Sequence, residues 1–387
     1  MDDDGFLVRS PDLVGSSPLL KPFLSNKDVV QKSRNLFIID TYGLDEKTLR
    51  TNHPQIFQRI YDRVYNFRQQ SRRPAYKEKW WIFVEPRSDF RKAKESLDRY
   101  IATPEVATHR PFIFVDSDVV PDASLYAVAS DDAFILGVLS SRIHCIWAVK
   151  AGGRMGVGND PRYQNRICFD PFPFPAATEE QRAAIRDLAE ELDTHRKHVL
   201  AEHADLTLTG LYNVMEKLKA GEALTDKEQD IHERGLVSVM RHLHERIDAT
   251  VAEAYGWPAD LADQDILARL VALNQERRAE EARGQVRWLR PDYQAPEAKA
   301  PAAEQTDLAI EPAIAAKPSS KKPAWPKTVP ERIVLVRDIL ASEPAPIALD
   351  SLAGSFKRKP KDGLEDVLSS LLALGLARDA GNGRYVG

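Results

Sequence analysis

Cysteine is almost absent from this sequence of 387 residues, which contains only Cys145 and Cys168. Two cysteines give neither a disulfide framework nor the ligand spacing of a zinc module. No apolar run approaches the roughly 20 residues that a membrane span requires. The first ten residues, MDDDGFLVRS, lack the basic-then-apolar pattern of a secretory signal. These absences lead us to expect a cytoplasmic protein with no membrane partner.

The sequence also has no excess of positive charge. Its net charge of −4 argues against a uniformly basic, DNA-coating protein. The charge is nevertheless uneven, with twelve Lys or Arg against six Asp or Glu from Arg63 to Arg110. Basic residues mixed with Tyr76, Trp80 and Trp81 suit a surface that follows phosphates. A second interpretation is that WWIFVEP is a strand with at least one tryptophan in the core, and the two are compatible. We predict DNA contacts from Arg72, Arg73, Lys77 and Lys79.

The most distinctive stretch runs from Ala127 to Pro175 and passes through a glycine-rich loop, AGGRMGVGNDPRY. Closely spaced glycines permit unusual backbone conformations and close approach to a large partner. Arginines there carry planar, permanently charged groups suited to phosphate or guanine. The alternative is an ordinary surface connection after a buried helix. If the loop does contact DNA, the predicted contacts are Arg154, Arg162 and Arg166.

Seven short segments of this sequence carry a resemblance to one family. In chain order they are SPLLKPFLS, NLFIIDTYGLDE, RRPAYKEKWWIFVEPR, RYIATPEVATHRPFIFVD, SDDAFILGVLSSRIH, AVKAGGRMGVGNDPRY and CFDPFPFP. They resemble the target-recognition region of the MmeI-like type II restriction-modification DNA methyltransferases. The resemblance covers roughly residues 17 to 257.

This resemblance implies an α+β target-recognition domain over residues 17–175 and an all-α C-terminal helical domain over residues 176–294. It also implies sequence-specific binding of double-stranded DNA, as the specificity half of an adenine-specific methyltransferase. In such relatives the S-adenosylmethionine site lies in a separate catalytic domain. We therefore expect no cofactor in this chain, no activity of the chain alone, and a separate methyltransferase chain as a possible partner.

The remaining segments are read from composition and pattern. We predict a disordered N-terminus over residues 1–16, a flexible Ala/Pro linker over 295–327, and a small winged-helix-like domain over 328–387, with a hairpin at Asn382-Gly383. The four basic residues of 357–361 favour phosphate contact, whereas acidic residues at 362–366 make a poor base-reading surface. DNA contact and protein docking both stay open for this domain. Two alternative functions remain: a winged-helix DNA-binding regulator, and the inactive remnant of a disrupted methyltransferase gene.

Candidate catalytic and metal motifs are weak. An adenine methyltransferase needs an (Asn/Asp/Ser)-Pro-Pro-(Tyr/Phe) motif, and Asp170-Pro171-Phe172 lacks the second proline. The glycines of 153–158 enter no obvious βαβ unit, which disfavours a dinucleotide loop. Pro11-Asp12 with Asp45-Glu46-Lys47 matches a nuclease pattern only by chance. The histidines at 195, 198 and 203 lack a clear ligand set, and His242 and His244 are interpreted as solvated. We predict no catalytic and no metal residues.

Apolar spacing predicts the secondary structure of the first two domains. Short apolar runs indicate strands at Asn35–Tyr42, Phe112–Asp116 and Leu125–Ser130. Helical spacing indicates helices over Thr48–Gln69 and Asp131–Val149. Capping boxes at Thr178/Gln181 and Thr225/Glu228 predict helix starts in the second domain, and the helix from Thr225 is expected to continue to Tyr255.

Overall fold

The computed structural model describes residues 4–9, 17–156, 158, 160–296 and parts of 325–386. The chain divides into two compact units, residues 1–300 and 301–387. In the first unit, a mixed region of sheets and short helices is followed by long helices. This confirms the predicted order of an α+β region and a helical region.

A four-stranded sheet organises the N-terminal part of the first unit, with strand order β1-β3-β2-β6. Its strands are β1 (Leu7–Val8), β2 (Leu20–Leu24), β3 (Leu36–Ile39) and β6 (Val120–Pro121). All neighbours are antiparallel except β2 and β6, which are parallel. Strand β3 confirms the prediction at Asn35–Tyr42. Phe6 and Val8 are fully buried in the core of this region. The expectation of a disordered N-terminus is therefore wrong for residues 4–9, whereas residues 1–3 and 10–16 lie outside the described residues.

Short helices connect the strands of this part of the chain. They are α1 (Asn26–Val30), α2 (Glu46–Asn52), α3 (Pro54–Ile60), the π-helix Tyr61–Tyr65, α4 (Asn66–Gln69) and α5 (Pro74–Glu78). Helices α2, α3 and the π-helix pack in the core of the N-terminal sheet, whereas Val29 of α1 packs in the main core of the unit. The prediction of one continuous helix over Thr48–Gln69 is wrong, because this range forms several short helices. Pro54 starts a new helix there, because proline disfavours a helical conformation in the preceding residue, and His53 has a φ of −133°.

The predicted strand WWIFVEP is also wrong, since this segment forms turns and bends. The core assignment that came with it is confirmed. Trp80 and Trp81 are only 2% and 8% exposed, and Trp80 meets Phe57, Tyr61 and Tyr65 in ring contacts with centroids 5.1–5.6 Å apart. The two indoles thus build the N-terminal core and are not surface groups.

A second, three-stranded antiparallel sheet has the order β5-β4-β7. Its strands are β4 (Arg99–Pro104), β5 (Ile113–Asp116) and β7 (Leu125–Val128), and β5 and β7 confirm two predicted strands. Side chains alternate between its faces. Ile101 enters the main core of the unit. Tyr100 and Ala102 face helix α6 (Ser88–Lys94) through Phe90, whose ring meets that of Tyr100 edge-on at 5.2 Å.

The apolar segment from Asp131 to Val149 forms two helices and not the one predicted. Helices α7 (Ala133–Ser140) and α8 (Arg142–Ala151) meet at an angle of 64°. Ser141 is extended there and caps α8, while the Arg142 N–H donates to Asp248 Oδ1 at 2.6 Å. Among the described residues no single helix is long and apolar enough to cross a membrane, although this bent pair passes on length and composition alone.

The helical region contains α9 (Glu179–Glu202), α10 (Leu208–Ala220), α11 (Asp226–Arg234), α12 (Val237–Ala254), α13 (Asp263–Ala282) and α14 (Pro291–Gln294). Both predicted capping boxes are present. The helix expected to run from Thr225 to Tyr255 is broken after α11, because Leu236 adopts a left-handed conformation with a φ of +44°. Gly235 beside it approaches α10 closely, since a Cβ there would lie 2.3 Å from Leu211. One continuous apolar core extends from the second sheet through α7 into α9, α10 and α12.

The second unit has its own small core around Val336, Leu340, Leu352 and Leu371. Helices Leu349–Gly354 and Leu364–Ala373 accompany a three-stranded sheet of order β10-β12-β11. Its strands are β10 (Ile347–Ala348), β11 (Arg378–Gly381) and β12 (Arg384–Val386). The turn at Asn382-Gly383 and the predicted linker, apart from residues 295–296 and 325–326, lie outside the described residues. The winged-helix assignment stays a prediction.

Candidate nucleic-acid interface

A cleft of about 1020 Å³ lies between the N-terminal sheet and the second sheet. Phe23 and Ile38 line it from the first sheet, and Leu125 and Tyr126 from the second. Helix α6 and the segment before it supply a basic wall, and the chain after the glycine hairpin adds Asn165 and one more cation. The four basic residues that line the cleft are Arg87, Arg91, Lys94 and Arg166.

These four cations differ in the contacts that they already make within the protein. Arg91 is bound by Asp40. Lys94 Nζ donates one hydrogen bond to the Ser117 carbonyl, and burial lowers the pKa of Lys94. Arg87 pairs with Glu85, but both side chains are more than 60% exposed. Arg166 is exposed and makes no hydrogen bond or ion pair with any described residue. The cleft thus offers Arg166, and more loosely Arg87, to an anionic ligand.

Arg166 is placed by a short π-helix, Asn165–Phe169. The buried Cys168 anchors this helix, as its N–H donates to the Gln164 carbonyl at 2.7 Å. The Asp170 N–H donates to the Asn165 carbonyl at 2.8 Å. Asn165 and Arg166 are therefore exposed side chains on a backbone fixed by the core.

The glycine-rich loop folds as a small hairpin, with β8 (Arg154–Met155) paired to β9 (Asp160–Pro161). Gly156 has a φ of +83°, which suits glycine at the turn. Gly152 is needed for space, because a Cβ there would lie 2.3 Å from the Arg162 carbonyl oxygen. Arg154 is exposed on this hairpin. The glycines thus shape a turn at the protein surface.

Arg162 differs from the other predicted contacts because it already has a partner. Its guanidinium forms a two-contact ion pair with Glu105 Oε1, at 2.7 Å from Nη2 and 2.8 Å from Nε. An isolated bridge between Val106 and Arg162 holds the same backbone to the end of β4. Arg110 reinforces it by donating to the Pro161 carbonyl at 2.7 Å. Arg162 therefore fixes the hairpin to the second sheet.

The other predicted cations, Arg72, Arg73, Lys77 and Lys79, lie in and beside the short helix α5 and are all exposed. Arg73 donates to the Tyr76 hydroxyl at 2.6 Å and lies over its ring. None of the four lines the cleft. The predicted residues thus fall into two groups. One is a basic patch around α5, formed by the four residues named above, and the other consists of Arg154, Arg162 and Arg166, which lie on or after the hairpin.

Phe172 of the Asp-Pro-Phe string is a core residue. It is 5% exposed, and its ring packs edge-on against the His144 ring at 4.4 Å. A ring so enclosed is not free to stack on an extruded base. The geometry agrees with a structural role for this string.

Two groups of buried polar side chains lie within the first unit. His144 Nε2 lies 3.1 Å from the Tyr163 hydroxyl, and burial lowers the pKa of His144 to about 3. Deeper in the helices, Arg196 donates to the Tyr212 hydroxyl at 3.0 Å, leaving the Tyr212 proton for His244 Nε2 at 3.0 Å. His244 was interpreted from sequence as solvated, which is wrong, because it is 8% exposed and burial lowers its pKa to about 3.

Sequence reasoning did not single out Arg87, Arg91, Lys94 or Asn165. The three cations were counted in the basic segment, but nothing local marks which of its twelve cations face a cleft. For Asn165, the available signal was its position in the sequence, because this amide directly precedes Arg166 after the glycine-rich loop.

Comparison with known proteins places this geometry in context. The sequence model of the MmeI target recognition domain matches residues 11–176. DNA methyltransferase A of Bacillus subtilis (strain 168) is 25% identical over 192 residues, which are 48% of this chain and 19% of that protein. The fold is similar to that in a solved structure of the Type IIL restriction-modification enzyme MmeI in complex with DNA. That match has a TM-score of 0.53 and 21% identity, over 71% of this chain and 34% of the other. The chain thus spans about a third or less of the length of these proteins.

Proposed function

We propose, from the match of residues 11–176 to the sequence model of the MmeI target recognition domain, that this chain binds duplex DNA in a sequence-specific manner. Arg166, exposed in the cleft beside Asn165, is the observation that carries the proposal. Guanidinium and amide groups are the side chains that read guanine and adenine in the major groove. The chain would act as the specificity half of an adenine-specific methyltransferase.

The basic patch around α5 has a different role in this proposal. Exposed cations outside the cleft suit phosphate contacts, which position a protein on DNA without reading sequence. Arg154 on the hairpin belongs with Arg166 as a cation near the bases. Arg162 contributes by holding the hairpin, and its guanidinium reaches DNA only if Glu105 releases it.

Methyl transfer would require a catalytic domain outside these 387 residues, because they contain no Asn-Pro-Pro-Tyr-type motif. S-adenosylmethionine would bind to that domain. The purified chain should therefore leave duplex DNA unmethylated when S-adenosylmethionine is supplied. Methylation by the purified chain alone would overturn this part of the proposal.

The central experiment selects bound duplexes from a randomised pool with the full chain and then measures Kd for the enriched sequence. A patch variant, Arg72→Ala/Arg73→Ala/Lys77→Ala/Lys79→Ala, should weaken binding to all sequences and lower the salt slope by up to about 4. Its control, Lys27→Ala/Lys32→Ala, removes two exposed lysines outside the patch and should leave the slope unchanged. No enriched sequence from the wild-type chain would contradict the proposal.

A second candidate is a DNA-binding regulator that uses the C-terminal unit, favoured by the helices and the β10-β12-β11 sheet described there. It predicts that Lys357→Ala/Arg358→Ala/Lys359→Ala/Lys361→Ala in the full chain abolishes specific binding while Arg166→Ala does not. An inactive remnant would instead show no salt-dependent affinity for DNA. The same titrations therefore separate all three functions.

A further inference from the structure

The cleft is bordered by two separate apolar cores. One core belongs to the N-terminal sheet and includes Phe6, Ile39 and Trp80. The other begins at the second sheet and continues into the long helices. The chain links the two sheets through β6, which pairs with Phe23 and Leu24 of β2 in the N-terminal sheet and is followed after a short turn by β7 of the second sheet. The two sheets are separate hydrogen-bonded units, so side-chain contacts help to set the angle between them.

Among the residues that the structure describes, one bidentate ion pair joins the N-terminal sheet to α6. Arg91 Nη1 donates to Asp40 Oδ2 at 2.6 Å, and Arg91 Nη2 donates to Asp40 Oδ1 at 3.2 Å. The remaining donor group, Nε, is bound to the Pro86 carbonyl at 2.7 Å. The guanidinium carbon also lies 4.6 Å from the centre of the Tyr42 ring. Each nitrogen of the guanidinium is thus engaged.

The two partners belong to different sides of the cleft. Asp40 directly follows β3, and its N–H donates to the Leu19 carbonyl at 2.8 Å. Arg91 is on α6, which packs on the second sheet through Phe90 and is tied to the helical region by Arg290 Nη1, 2.7 Å from the Ala93 carbonyl. Both side chains are shielded, with 22% of Arg91 and 10% of Asp40 exposed. A shielded bidentate pair of this kind fixes the orientation of the two side chains as well as the distance between them.

We infer that Asp40 and Arg91 are a positioning pair that sets the orientation of the N-terminal sheet relative to α6, and through it the spacing of the cleft walls. The inference rests on the proposed function of the cleft. Arg91 itself is assigned no DNA contact, because its guanidinium is held by Asp40 and the Pro86 carbonyl and is mostly shielded. The pair acts through Arg87 and Arg166, whose separation must match the double helix for specific binding. Nonspecific phosphate contacts tolerate a change in that separation.

The test uses the full chain with Asp40→Asn, Arg91→Lys and the double variant. Each single variant should raise Kd for the selected duplex by about tenfold or more, since displacement by about 1 Å is costly at a geometric site. Kd for random duplex and the salt slope should stay as in the wild type. The double variant should be no worse than the poorer single variant, because both remove one interaction.

The chain contains a matched control. Asp28 and Arg34 form another bidentate pair, with contacts of 2.9 and 2.8 Å, between α1 and the segment that follows it. Asp28→Asn therefore removes the same chemistry without crossing the cleft, and it should leave the ratio of specific to nonspecific affinity unchanged. A parallel loss of both affinities in Asp40→Asn, or an unchanged specific Kd, overturns the inference.

Hydrogen exchange tests the pair without DNA. Asp40→Asn should speed exchange of the α6 amides while leaving α9 unchanged, and Asp28→Asn should not affect α6. Unchanged exchange in α6 would overturn the positioning role. Absence of DNA binding by the wild-type chain would instead contradict the proposed function, so the two failures are distinguishable.

Discussion

Glu105 and Arg162 are joined by an ion pair of 2.7 Å at the base of the glycine hairpin. Arg166, only four residues further, has no such partner among the described residues and lines the cleft. The two arginines therefore differ in function although they look alike in sequence. One has a structural partner, and the other is available to a ligand.

This difference predicts opposite outcomes for two alanine variants. Arg166→Ala should leave the melting temperature within about 1 °C, because an exposed side chain without partners contributes little to stability. It should raise Kd for the selected duplex by about 5- to 100-fold, as expected for the loss of one base contact. Arg162→Ala should lower the melting temperature, because Glu105 then loses its partner. Thermal unfolding and fluorescence anisotropy check both, and a destabilised Arg166→Ala with normal affinity would contradict the assignment.

The hairpin glycines predict a second contrast. Gly152→Ala places a Cβ 2.3 Å from the Arg162 carbonyl oxygen and 2.7 Å from that of Ala148, so the hairpin must shift. We expect a loss of about 1–3 kcal/mol in the free energy of unfolding together with weaker DNA binding. Gly153→Ala meets no atom within 4 Å and serves as the control, with both properties unchanged. Equal effects of the two substitutions in denaturant unfolding would show that the close approach is unimportant.

Buried His244 predicts a pH dependence of stability. Its pKa falls from 6.5 to about 3 on folding, so the unfolded chain binds the proton more tightly. The stability from neutral His244 is complete above pH 6.5 and is lost as the pH falls toward 3, by up to about 1.4 kcal/mol per pH unit. His244→Gln should flatten the curve of unfolding free energy against pH between 4 and 6.5. The exposed His242→Gln, on the same helix, should leave that slope unaltered, and an equal change in both variants would refute the explanation.

Both cysteines should resist thiol reagents in the folded protein. Burial raises the pKa of Cys145 to about 12 and also raises that of Cys168. Because only the thiolate reacts quickly, labelling at pH 8 should be slow and should speed up sharply in denaturant. Mass spectrometry of the labelled chain gives the readout, and rapid native labelling at Cys168 would mean that the π-helix anchor opens readily.

Local signals were readable from the sequence, whereas long-range contacts were not. The capping boxes at Thr178 and Thr225 depend on residues three apart, and both were predicted correctly. The break at Ser141 was missed because Asp248, which accepts a hydrogen bond from the Arg142 N–H beside it, lies on a distant helix. The strand β4 was not predicted, since Arg99 and Pro104 give its ends the composition of a loop. The pairing of Arg91 with Asp40 spans 51 residues and leaves no local pattern.

The same limit explains the predicted site. Composition located the basic segment and the glycine loop, and both lie at the protein surface. Which cations face the cleft depends on how two sheets are placed, a property of tertiary packing that charge counts cannot supply. Arg166 was predicted and lines the cleft, Arg162 has an internal partner, and the α5 patch lies outside the cleft.

The close approach of α7 and α9 has a consequence for engineering. Gly137 leaves no room for a side chain, because a Cβ would lie 2.5 Å from Ile185. The apolar core is therefore continuous across residue 175, where the sequence suggests a boundary. A chimaera joined at that residue would cut through one core and expose both halves. Transplanting this specificity into another enzyme would require moving the long helices with it as one cassette.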